Sequence, residues 1–160
     1  MENIASNELV QRISGLLNDV RHRIIQSVNH TMVLTYFEIG RMIVEEEQNG
    51  NERADYGKQI TKMLSRKLTA DFTKGFSQRN LEQMRQFYLV HSKAQTLSAQ
   101  FENHLKASVI FHLSWSHYLK LMRIEDSNER KFYEIEAVKN NWSLRQLNRQ
   151  YDTALLPDFH

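Results

Sequence analysis

One proline, Pro157, stands in the whole 160-residue chain, and only five glycines accompany it. Tight β-turns draw on proline, glycine and their neighbours, so a chain this poor in both has little material for hairpins. Apolar residues meanwhile recur at three- and four-residue steps along most of its length, the period of an amphipathic helix. Together these features predict an all-α domain. The length suits one domain able to bury a sizeable core.

The first predicted helix opens near Ser6 and Asn7 and carries Ile13, Leu16, Leu17, Val20, Ile24 and Val28 on one face. A second, from about Thr31 to Gln48, has the wider apolar set Met32, Val33, Tyr36, Phe37, Ile39, Ile43 and Val44, with Gly40 where a neighbouring helix could approach closely. Further helices are expected over about 56–72, 78–91, 114–122, 127–139 and 144–155, the last closed by Pro157. Between them, Ala99 to Leu105 fits a short helix. Ser108 to Leu113 is β-branched and aromatic enough for either a short strand or a buried connector, and periodicity cannot separate the two. About seven helices are expected in all.

Two of the breaks resemble each other. Phe76-Ser77-Gln78-Arg79-Asn80-Leu81 and Trp142-Ser143-Leu144-Arg145-Gln146-Leu147 both read aromatic, Ser, x, Arg, polar, Leu, and each opens a helix that follows another helix. An aromatic ahead of a serine cap fixes the angle at which the second helix leaves. The two corners, at about 56–91 and 127–155, therefore suit helix-turn-helix units, whose second helix offers its outer face to a DNA groove. Arg79, Gln83 and Gln86 on the first and Arg145, Gln146 and Arg149 on the second have the donor geometry to read guanine and adenine.

Charge supports the first corner. The formal net charge of +2 conceals segregation: residues 56–93 carry eight bases and two acids, whereas 38–55 carry six acids and two bases. Lys58, Lys62 and Arg66, spaced by four, and Lys74 in the break are candidate phosphate contacts. Duplex DNA is the expected partner.

Catalytic chemistry finds little support. The chain has no cysteine, which removes thiol catalysis, Cys-ligated zinc and Fe–S clusters and fits a reducing cytoplasm. His104, His112 and His117 lack the i, i+4 spacing of a helical zinc pair, and no HExxH, phosphate loop, GxSxG or glycine-rich dinucleotide turn occurs. His117, between Trp115 and Tyr118, reads as a satisfied, half-buried histidine. Three consecutive acids, Glu45 to Glu47, cannot converge on one ion from a helix. No catalytic residue, metal or cofactor is expected, and no apolar run is long enough to span a membrane. A cytoplasmic protein is anticipated.

Several longer segments are identifiable as a pattern. They are Val28-Asn29-x-x-Met32-Val33 with Tyr36-Phe37-Glu38-Ile39-Gly40-Arg41, Tyr56-Gly57-Lys58-Gln59, Gly75-Phe76-Ser77 with Asn80-Leu81-x-x-Met84-Arg85-x-Phe87-Tyr88, Leu113-Ser114-Trp115-Ser116-His117-Tyr118, and Arg130-x-Phe132-Tyr133 leading to Trp142-Ser143-x-Arg145-x-Leu147. From about Ser14 to Tyr151 the chain resembles the N-terminal domain of the YhcG-like family. The resemblance implies a domain that stands ahead of a C-terminal nuclease domain of the PD-(D/E)xK type and binds DNA. Leu155 to His160 does not continue into a nuclease site, so catalysis is expected from a nuclease domain or subunit elsewhere. The competing expectation is a dimerisation or protein-interaction module, using the wide apolar face of 31–48 and a contact surface at Trp115, His117 and Tyr118.

Overall fold

A computed structural model describes the backbone of residues 2–49, 54–99 and 111–154, and the side chains of 3–49, 57–92 and 111–154. Among the described residues six helices follow in order: α1 (Glu2–Asn49), α2 (Ala54–Phe72), α3 (Gln78–Ala99), α4 (Trp115–Met122), α5 (Ser127–Lys139) and α6 (Leu144–Ala154). No strand occurs among the described residues, which fits the all-α expectation; Phe111 to Leu113 is a connector that buries Phe111 and Leu113 and exposes His112, while 108–110 and the short helix expected at 99–105 lie outside the described residues, Ala99 apart.

The largest departure from expectation is α1. The two helices expected over 6–28 and 31–48 are one helix of 48 residues, roughly 70 Å long at 1.5 Å per residue. At about 100° per residue, the apolar stripe of Ile13, Leu17, Val20, Ile24 and Val28 lies about half a turn from that of Val33, Phe37, Gly40 and Val44. A change of face resembles a break in sequence, but nothing between Val28 and Val33 stops a helix. Thr31 and Thr35 return their hydroxyls to the carbonyls of Ser27 and Thr31, at 2.8 and 2.7 Å, as helix-interior threonines do. Helix α3 also continues past its expected end at residue 91, to Ala99.

The second half of α1 packs along α3. Gly40 permits the crossing: a Cβ there would fall on the backbone carbonyl oxygen of Met84. Phe87 lies at the centre of the core, its ring 5.1 Å from Phe111, 5.2 Å from Tyr118, 5.2 Å from Trp115 and 6.1 Å from Phe37. Aromatic pairs at this spacing contribute beyond their area burial, about 0.5–1.5 kcal/mol each. Tyr133, Ala137 and Leu147 extend the same core to α5 and α6. A second cluster, Ile43, Leu81 and Met84, seats α2 through Leu64 and Leu68. Beside it α1, α2 and Phe76 enclose an apolar groove of about 880 Å³, with Met42 and Met63 on its wall.

The caps follow the sequence. Ser114 opens α4, its Oγ accepting from the His117 N–H, and Asp126 opens α5, accepting from Asn128 and Glu129 at 2.8 and 3.2 Å. Arg130 donates to the Ile124 carbonyl at 2.7 Å and so holds the turn between α4 and α5.

Candidate nucleic-acid interface

Both repeated corners join two helices tightly, by different closures. At the first, α2 ends with Thr73 in the left-handed region (φ 68°), its N–H donating to Thr69 at 3.0 Å. Gly75 follows at φ 92°. Ser77 then caps α3, its Oγ accepting from Asn80 at 3.1 Å, and Phe76 packs back against Phe72, the tilted rings 5.9 Å apart. At the second, α5 ends in a Schellman turn: Asn141 (φ 51°) donates to Val138 at 3.3 Å and Trp142 to Ala137 at 3.0 Å. Ser143 and Gln146 then form a reciprocal capping box. The Gln146 N–H donates to Ser143 Oγ at 3.2 Å, and the Ser143 N–H donates to Gln146 Oε1 at 2.8 Å.

Helix α4 ties the two corners together. Trp115 Nε1–H donates to Asn80 Oδ1 at 3.0 Å, while the Asn80 amide donates to the Gly75 carbonyl. Two residues on, His117 Nε2–H donates to the Trp142 carbonyl at 2.8 Å, and Nδ1 accepts from Ser114 Oγ. His117 is thus the satisfied, half-buried histidine anticipated. The contact surface expected at Trp115, His117 and Tyr118 is corrected by burial. Tyr118 is 1% exposed at the core, Trp115 and His117 are half-buried, and the segment braces its own chain. Of the apolar face of 31–48, Val33, Phe37, Ile43 and Val44 are buried, Tyr36 and Ile39 are half-buried and Met32 is exposed, so most of it packs within the chain. Sequence reasoning missed the bracing role of Asn80 and Trp115. The signal was there in that both lie inside segments singled out as a pattern.

Of the candidate contacts, Lys58, Lys62, Arg66, Lys74, Arg79, Gln86, Arg145, Gln146 and Arg149 are exposed, and Gln83 is half-buried. Among the described residues none of the seven cations in this set has a carboxylate partner, whereas Arg41 is held by Glu38 and Glu45 and Arg85 by Glu47 at 2.8 Å. Arg79 and Arg145 occupy the same place, second residue of the helix that leaves each corner, and neither helix has an acid in its first turn. A cation there opposes the positive end of the helix dipole, by about 0.3–1 kcal/mol. Helix α5, which follows no such corner, begins conventionally with Asp126 and Glu129. The corner helices therefore present uncompensated positive potential, able to receive an anion through free backbone N–H groups and guanidinium together.

Burial raises the Tyr118 hydroxyl above its ordinary range, helped by the Glu134 carboxylate, and raises Glu134 itself. Neither lines the apolar groove between α1 and α2. Among the described residues no cluster of His, Asp or Glu could hold a metal, and no helix is long and apolar enough to cross a membrane.

An α-helical domain with paired, cross-braced corners is the class these observations define. The chain matches the family described as the DUF1016 N-terminal domain over residues 12–157, and it belongs to that family. It is 39% identical over 161 residues to "Putative nuclease YhcG" of Escherichia coli (strain K12), an alignment covering 88% of this chain and 43% of that protein. The chain thus spans less than half the length of this curated relative. No solved structure matches it.

Proposed function

We propose that this domain recognises duplex DNA for a nuclease and has no catalytic role of its own. The carrying observation is the matched pair Arg79 and Arg145, both exposed, without a carboxylate partner among the described residues and with no acid in the first turn of their corner helices. In this reading each corner is a helix-turn-helix. Lys58, Lys62, Arg66 and Lys74 hold phosphates; Arg79, Gln83, Gln86, Arg145 and Arg149 approach base edges. Gln146 contributes only its amide group, since its carbonyl serves the cap. The name of the relative, "Putative nuclease YhcG", supports a nucleic-acid target, and the partner supplying cleavage is a nuclease domain or subunit in the cytoplasm.

Titration of duplex DNA at several salt concentrations tests this. Four phosphate contacts give a slope of log affinity against log salt of about −3.6. Arg79→Glu with Arg145→Glu abolishes binding while helical circular dichroism stays unchanged. Absence of binding at low salt, or binding indifferent to salt, overturns the proposal.

A further inference from the structure

Every residue from Asn3 to Val28 is exposed, although this half of α1 carries an ordered apolar stripe. Leu9, Ile13, Leu16 and Val20 are 53%, 49%, 63% and 42% exposed. Their spacing of four, three and four is the seam of a coiled coil, and Val10, Leu17 and Ile24 follow along one flank at sevens. The folded body packs on a different face of α1, where Val33, Phe37 and Gly40 point, about a third of a turn away, so none of the described residues covers this stripe. Helices in proteins draw most of their stability from packing of an amphipathic face, and this half of α1 leaves its apolar face exposed.

The charges specify what covers it. Glu8, Arg12, Asp19 and Arg23 alternate in sign along the flank opposite Val10 and Leu17. In an antiparallel pair of helices like flanks meet. One register then sets Arg12 against Asp19 and Glu8 against Arg23 of a second copy, each pair occurring twice by symmetry, because both pairs are centred on the same point of the helix. That register also layers Ile13 on Leu16 and Leu9 on Val20. A parallel pair would instead lay the charged flank on Val10, Leu17 and Ile24.

We infer that residues 5–28 of α1 form an antiparallel helical dimer with the same stretch of a second copy. The apolar side chains of the stripe, each about half exposed, would bury on the order of 1,400 Å² in total, within the range of specific interfaces of about 1,200–2,000 Å². This inference rests on residues that take no part in the nucleic-acid reading, so either can fail without the other.

Sedimentation of the full chain without DNA tests it. At micromolar concentrations the mass is twice 19.0 kDa. Leu16→Glu, at a side chain 63% exposed in the single chain, weakens association by roughly 100-fold or more, since the buried leucine counts twice. The near-ultraviolet signal of Trp115 and Trp142 is retained in that variant. Arg12→Glu weakens the dimer, and Asp19→Arg added to it restores association. The chain lacks cysteine, so orientation is read directly: when Leu9→Cys and Val20→Cys chains are mixed, each cross-links to the other. A 19.0 kDa monomer at all concentrations overturns the inference. So does a dimer unaffected by Leu16→Glu, a failed charge swap, or predominant cross-linking of the Leu9→Cys chain to a second copy of itself.

Discussion

The Trp115 indole and the Asn80 side chain, 35 residues apart in sequence, meet in a 3.0 Å hydrogen bond that fixes the start of α3 against α4. With His117 holding Trp142 two residues on, one short helix sets both corners in place. Trp115→Phe keeps most of the ring's packing against Tyr36 and Phe87, 5.0 and 5.2 Å away, but strips Asn80 Oδ1 of its donor. The expected cost is about 1–2 kcal/mol in urea unfolding. Trp115→Ala, which also opens a cavity, costs about 3–5 kcal/mol.

Three helical glycines should respond to alanine in three ways. At Gly40 the new methyl meets the Met84 backbone, which cannot yield without moving α3 off α1, so Gly40→Ala destabilises by about 1–3 kcal/mol or more. At Gly57 it meets the Glu47 carboxylate, the flexible end of a side chain, and the helix-propensity gain of about 1 kcal/mol offsets the shift; the outcome is near neutral. Gly15 has nothing within 4 Å, and Gly15→Ala stabilises α1 by about 0.5–1 kcal/mol. Melting temperatures of the three variants rank them.

How far this architecture could be read from sequence depended on whether the deciding interactions were local. The caps at Ser77 and Ser143 and the close approach at Gly40 follow from residue type and position, and all are found. The continuity of α1 did not, because a stripe that changes face mimics two helices when only periodicity is visible. Tyr118 was misplaced for a related reason: an aromatic run on a short helix looks like a contact surface until Phe87, Phe111 and His91 are known to surround it. Long-range partners of this kind leave no local trace. In the candidate site, residue type identified the exposed cations, but the dual use of Gln146 follows only from backbone geometry.

His91 makes the domain acid-sensitive. Its ring packs 4.3 Å from Phe87, and Nδ1–H donates to the Phe87 carbonyl at 3.1 Å. Burial, aided by the Arg130 charge and opposed by that hydrogen bond, lowers its pKa from 6.5 to about 4. Between these values the unfolded chain holds a proton that the folded chain refuses. The contribution is therefore intact above about pH 6.5 and is lost as pH falls towards 4, on the order of 3 kcal/mol in all. Glu134, whose pKa is raised, acts with the opposite sign, favouring the fold at acid pH. Comparing His91→Phe with the parent isolates the histidine: the variant loses less stability between about pH 7 and about pH 4.5.

Gln146 separates a structural from a recognition role within one residue. Glutamate can replace glutamine in a capping box, since a carboxylate oxygen accepts the Ser143 N–H equally well, and a negative charge in the first turn complements the helix dipole. Gln146→Glu should leave the melting temperature unchanged or slightly raised. Gln146→Ala breaks the box and costs about 0.5–2 kcal/mol. If α6 approaches DNA, the order inverts for binding. Glutamate places its charge beside Arg145 and Arg149 and weakens affinity more than alanine, most strongly at low salt where screening is least. Duplex affinities of the two variants at two ionic strengths, set against their melting temperatures, check both halves; equal affinity of Gln146→Glu and the parent would place α6 away from the nucleic acid.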